Sequence, residues 1–122
     1  MKLSEIIQLV NGKLLTEPIS GDVEIAGAMG ADLMSDVLAS IRPESVLLTG
    51  LCNPQVVRTA SIAEILAIVF IRGKSPAKET IEIANKENIP LIKTNYGMFD
   101  TCGILYQNGL PGYESSNIHD LA

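Results

Sequence analysis

Three short stretches hold most of the residues able to do chemistry. Thr49, Gly50, Cys52 and Asn53 fall in "TGLCNP", Arg72, Gly73, Lys74 and Ser75 in "IRGKSP", and Lys93, Thr94 and Asn95 in "IKTNYG". Each stands at the end of an apolar run. Glycines, hydroxyls, amides and cations behind a strand are the groups that cradle a phosphate or another small anion, above all where a helix starts. In the first stretch Asn53 is placed to be an N-cap and Pro54 the first helical residue. Neither "TGLCNP" nor "IRGKSP" is a full phosphate-loop motif: the first is not GxGxxG, and the second lacks the upstream glycine of a P-loop. Two readings therefore stand side by side, a ligand cradle and a set of plain turns.

Other chemistries lack their residues. His119 is the single histidine and stands near the C-terminus, so a triad or Cys-His pair would have to recruit it from a polar tail. One histidine and two distant cysteines, Cys52 and Cys102, cannot complete a tetrahedral zinc site. Glu79, Glu82 and Glu87 read as solvated helix faces. Cys52 lies in a loop beside a helix start, a position that can lower a thiol pKa, although a plain small loop residue is the favoured reading. Cys102 shares a helix face with Met98 and Leu105 and reads as core.

The elements that must position these residues repeat. "SVLLTG", "AIVFIRG" and "IPLIKT" begin about 22 residues apart. Continuous apolarity, rather than alternation, suits strands buried on both faces of a parallel sheet. A helix pattern follows each one. The first opens at Asn53-Pro54, and the second at Ser75-Pro76 with Ala77, Ile81 and Ala84 on one face. The third runs from about Met98, with Met98, Cys102, Leu105 and Tyr106 on one face, and stops at Asn108-Gly109. In the N-terminal third, "LSEIIQLVNG" is a short helix capped by Ser4, and "KLLT" and "VEIAGAMG" are strands. "DLMSDVLASI" is an amphipathic helix with Leu33, Val37, Leu38 and Ile41 on one side. The expected fold is α/β, a small, mainly parallel sheet flanked by helices in three Rossmann-like layers. Residues 1–110 form the single domain and residues 111–122 a polar tail.

Composition narrows the function classes. The 122 residues are 47% hydrophobic and 19% charged, enough for a real core without staples. Five aromatics and a net charge of −5 argue against nucleic acid, which wants stacking platforms and clustered cations. No signal peptide, no run of ~20 apolar residues and no disulfide framework are visible, so a cytoplasmic protein without a membrane partner is expected.

From Val46 to Leu110 the chain resembles the DRTGG domain family, most specifically in "IRGKSPAKETIEIANKENIPLIKT" and then "NYGMFDTCGIL". Members of that family are stand-alone proteins and modules of phosphotransacetylases and CBS-containing pyrophosphatases, and the N-terminal domain of HPr kinase/phosphorylase is related. Residues 1–40 are faintly similar to the UDP-binding domain of muramyl-peptide ligases. Aligned on Pro54, Pro76 and Pro90, the family's Asp-Arg pair falls on Cys52 and Asn53. Its Thr-Gly-Gly falls on Ile71, Arg72 and Gly73, so only the last glycine is kept. Contacts made by the family's Asp or Arg do not transfer.

The resemblance implies a regulatory module without catalysis that pairs with itself, with a hydrogenase- or kinase-related protein as a further partner. Beside it stand two rivals, a purely structural dimerisation adaptor and a thiol enzyme built on Cys52. The proposed ligand is a small anion, a nucleotide or phosphorylated metabolite, held by Thr49, Gly50, Asn53, Arg72, Gly73, Lys74, Ser75 and Thr94. The sequence specifies no cofactor. The "DLMSDVLASI" helix and the final helix are the expected dimer faces.

Overall fold

The structure, a computed structural model, describes residues 1–114. The elements in chain order are α1 (Leu3–Leu9), β1 (Lys13–Leu14), β2 (Gly27–Gly30), α2 (Met34–Ser40), β3 (Ser45–Thr49), α3 (Pro54–Ile62), β4 (Ala67–Phe70), α4 (Lys78–Glu87), β5 (Leu91–Lys93) and α5 (Met98–Gln107). The five strands form one sheet in the order β1-β5-β4-β3-β2. β2 to β5 run parallel, and β1 is antiparallel at the β5 edge. The fold is thus α/β with a mixed, mostly parallel sheet.

Every residue of β3 and of β4 is buried, as their unbroken apolar runs require. Alternate side chains divide between two cores. Leu47, Ile68, Phe70 and Leu91 face α2, α3 and α4, whereas Val46, Leu48, Ala67, Val69 and Ile92 face α1 and α5. β2, β3, β4 and β5 step across the sheet in one direction, so right-handed crossovers put all three connecting helices on one face. α5 leaves β5 for the other face. All β-to-α loops in the parallel part consequently gather at one sheet edge.

Several local expectations change. α4 does not open at Ser75-Pro76: Ala77, still extended at ψ 158°, is its N-cap, and Lys78 is the first helical residue. Pro76 is buried and lies outside the helix. Asn53 is the N-cap of α3 and Pro54 follows it, but no side-chain cap bond forms. Lys2, not Ser4, caps α1. The Ser4 hydroxyl instead donates to Asp22 at 2.5 Å, and that bond holds the exposed Asp22 carboxyl below its ordinary range. On α5 the buried positions are Thr101 and Leu105, while Tyr106 faces solvent. On α2 only Val37 is fully buried, with Leu33 and Leu38 exposed, because a helix of seven residues lays a narrow stripe on the sheet.

Part of the C-terminal segment docks on the β2 edge. The Ala28 N–H donates to the Pro111 carbonyl at 2.9 Å, and the Tyr113 N–H donates to the Ala28 carbonyl at 2.8 Å. A side chain at Gly27 would overlap the Tyr113 Cβ and lie 2.6 Å from its Cγ, so glycine is required for this close approach. The Arg42 guanidinium covers the Tyr113 ring at 5.5 Å. His119 lies outside the described residues.

Candidate functional site

Ligands of open α/β sheets bind beyond the carboxyl ends of the strands, where successive loops leave for opposite faces. Here that point lies between β4 and β5, since α4 and α5 part to different sides. The crevice is closed, however. The Arg72 N–H donates to the Tyr96 carbonyl and the Gly73 N–H to the Thr94 carbonyl, both at 2.8 Å. Thr94 is turned away from the edge: its hydroxyl donates to the Val10 carbonyl at 2.6 Å and accepts from the Tyr96 N–H at 3.2 Å. Only 1% of its surface is exposed. It anchors the end of α1 to the sheet.

The opening lies one strand over. β3 and β4 are neighbours in the register Thr49↔Phe70, which sets the Gly50 and Gly73 turns side by side. Above them is a cleft of about 340 Å³ lined by Asp32, Gly50, Leu51, Ile71, Arg72, Lys74 and Met98. Among the described residues neither Arg72 nor Lys74 makes an ion pair. Asn53 and Ser75 are exposed on the same loops but do not line the cleft, and Lys93 is half-buried on β5. Thr49 is fully buried and reaches the site through its hydroxyl alone.

Sequence reasoning missed Asp32. Gly30 pairs with Leu48, so two residues further on Asp32 stands beside Gly50. Its Oδ1 accepts from the Gly50 N–H at 2.8 Å and from the Thr49 hydroxyl at 3.0 Å. A carboxylate of the protein thus takes the donors that an anion at the β3 turn would need. The only signal in the sequence was an acidic residue just past a strand, and its partner strand is not written locally.

The β4 turn is strained. Arg72 and Gly73 both have left-handed φ, 57° and 67°, and the Lys74 N–H donates to the Ile71 carbonyl at 3.1 Å. Two consecutive positive φ values inside such a bond are the pattern of a type I′ turn, which favours Gly, Asn or Asp. A non-glycine residue there costs on the order of 1–2 kcal/mol. Arg72 therefore holds its place in the cleft against a conformational penalty.

Cys52 is half-buried in its loop. Burial pushes its thiol up from the ordinary value, and the Lys74 charge opposes this only in part. Its Sγ lies 3.6 Å from the Gly50 carbonyl, as a weak donor. That upward direction is opposite to the lowering a helix start can give. Burial also pushes up the Cys102 thiol, which sits against Gly30. Among the described residues no group of acidic, histidine or cysteine side chains could hold a metal ion, and no helix is long and apolar enough to cross a membrane.

Two outcomes follow from this geometry. Arg72→Gly should leave the urea midpoint unchanged or raise it, because the gain from relieved strain, on the order of 1 kcal/mol, offsets the entropy of the added glycine. A clear loss of stability would show that Arg72 also supports the fold. In a Cys102→Ser background, alkylation of Cys52 should be slow at pH 7 and accelerate only as pH rises beyond the ordinary thiol range. Fast labelling at neutral pH would contradict the upward shift of this half-buried thiol.

No curated protein matches the chain. The fold is similar to the CBS and DRTGG domains of the regulatory region of Clostridium perfringens pyrophosphatase, a structure complexed with its activator diadenosine tetraphosphate. The TM-score is 0.67 at 18% sequence identity, over 89% of this chain and 47% of that one. The chain thus spans about half the length of that structure. The DRTGG domain matches residues 5–107, nearly all of the described chain, and the chain belongs to the DRTGG domain family.

Proposed function

We propose that the chain is a non-catalytic regulatory module that senses a nucleotide or another small phosphorylated anion in the cleft above β3 and β4, and that it works as a cytoplasmic homodimer. The observation that carries this reading is the placing of Arg72 and Lys74. The chain is acidic overall, with a net charge of −5, yet two cations without ion-pair partners among the described residues line one cleft at the ligand-binding edge of the sheet. Unpaired cations in a concave site with apolar walls are worth more to an anion than the same charges on an open surface. The nucleotide bound in the similar pyrophosphatase region supports nucleotides as the first class to test. In this reading Gly73 makes the turn and Gly50 and Thr49 build the floor. Asn53 and Ser75 stand at the rim, and Thr94 holds the β5 loop behind it.

One observation favours the adaptor reading as a second role. Phe99 and Tyr106, seven residues apart on α5, are 88% and 63% exposed. They flank an apolar groove of about 380 Å³ between α5, the β2 edge and residues 110–114. Exposed aromatics of this kind mark association surfaces. The final helix is therefore the better dimer face than α2, and a hydrogenase- or kinase-related protein is the other partner that the family suggests.

A thermal-shift and calorimetric screen of nucleotides and phosphorylated metabolites tests the sensing role. The Arg72→Ala, Lys74→Ala double variant should bind any hit at least ten-fold more weakly, about 1.4 kcal/mol, with an unchanged melting profile. Equal affinity would place the ligand elsewhere. For the dimer, sedimentation at tens of micromolar (a usual assay range) should give twice the 13.1 kDa chain mass, and Phe99→Asp with Tyr106→Asp should give the monomer. A wild-type monomer would remove the dimer from the account.

A further inference from the structure

A phosphate-binding turn normally offers its backbone N–H groups to the ligand. This one does not. The Gly50 N–H and the Thr49 hydroxyl both donate to Asp32 Oδ1, and the Leu51 N–H donates to the Thr49 Oγ1 at 3.1 Å. A phosphate cannot take these donors without displacing the carboxylate, and beside the carboxylate it meets a like charge. The anionic end of a ligand is left to Arg72 and Lys74, on the β4 side of the cleft.

The β2 side asks for the opposite chemistry. An ionised carboxylate only accepts hydrogen bonds and has about four lone-pair positions. Oδ1 uses two of them, and among the described residues no donor reaches Oδ2. Asp32 is exposed and lines the same cleft as the two cations. The site is thus bipolar, with donors wanted at one wall and an anion at the other. Leu51, Ile71 and Met98 supply apolar surface between them.

We infer that Asp32 is the specificity-determining residue of the cleft, accepting hydrogen bonds from the vicinal hydroxyls of a ribonucleotide whose phosphate lies on Arg72 and Lys74. A cis-diol presents two neutral O–H donors to the lone-pair positions left on Oδ2, whereas inorganic phosphate brings its own negative charge against the carboxylate with only its residual P–O–H to donate. The inference rests on the sensing role proposed above and names what that site distinguishes.

The test uses the four ribonucleoside 5′-monophosphates, their 2′,3′-dideoxy analogues and inorganic phosphate, titrated calorimetrically into the wild-type protein and the Asp32→Asn variant. The asparagine oxygen can still accept from Gly50 and Thr49, so the turn is kept while the charge is lost. In the wild type at least one ribonucleotide should bind ten-fold or more tightly than its dideoxy analogue. Asp32→Asn should bring that ratio below three and bind inorganic phosphate several-fold more tightly than the wild type does. A wild-type ratio near one, or a ratio that Asp32→Asn leaves unchanged, overturns the role of Asp32 while the sensing role stands. Failure of every probe to bind the wild type overturns both. Should Asp32→Asn unfold, the wild-type ratio decides the matter by itself.

Discussion

The parallel ladder from β2 to β5 is the constraint on which the rest of the molecule depends. Both faces of β3 and β4 are covered by helices, so no polar chemistry can sit on the sheet itself. It is confined to the strand ends. The registers Gly30↔Leu48 and Thr49↔Phe70 then bring three loops into one row, with Asp32 beside Gly50 and Gly50 beside the Arg72 turn. Slipping any one strand by a single residue would exchange its two faces and destroy both cores. The hydrophobic pattern that stabilises the sheet therefore also fixes the geometry of the cleft.

Hydrogen bonding decides where along that row the opening falls. Between β4 and β5, backbone groups satisfy one another across the gap, and Thr94 faces the interior. Between β3 and β4 the Gly50 donors are met by a side chain, so the space above them stays open. The penalty stored in the left-handed Arg72 belongs to the same place. Sparsely populated backbone conformations persist where the surroundings over-determine them, and they gather at functional sites.

Much of this was legible in the residues. The unbroken apolar runs of β3 and β4 announce burial on both faces, and their spacing leaves room for one crossover helix each. The cations of the β4 loop and the glycine turns were visible as a possible anion edge. What escaped was long-range. The role of Asp32 depends on which strand β2 pairs with, and no local pattern states this. Thr94 looks like a ligand donor until α1, 84 residues away in sequence, supplies the acceptor. Ser75-Pro76 carries a local helix-start signal, but Pro76 is buried and the helix opens beyond it.

α5 joins the two surfaces of interest. Its first residue, Met98, lines the cleft, and Phe99 and Tyr106 flank the apolar groove. The central claim is that the ligand binds over β3 and β4 and not in that groove. Amide chemical-shift mapping during titration with a ribonucleotide tests it most directly. The account predicts that the largest shifts fall on Asp32, Gly50, Leu51 and residues 71–74, with α5 beyond Met98 little changed. Shifts centred on Phe99, Cys102 and Tyr106, with the three loops unmoved, would contradict it.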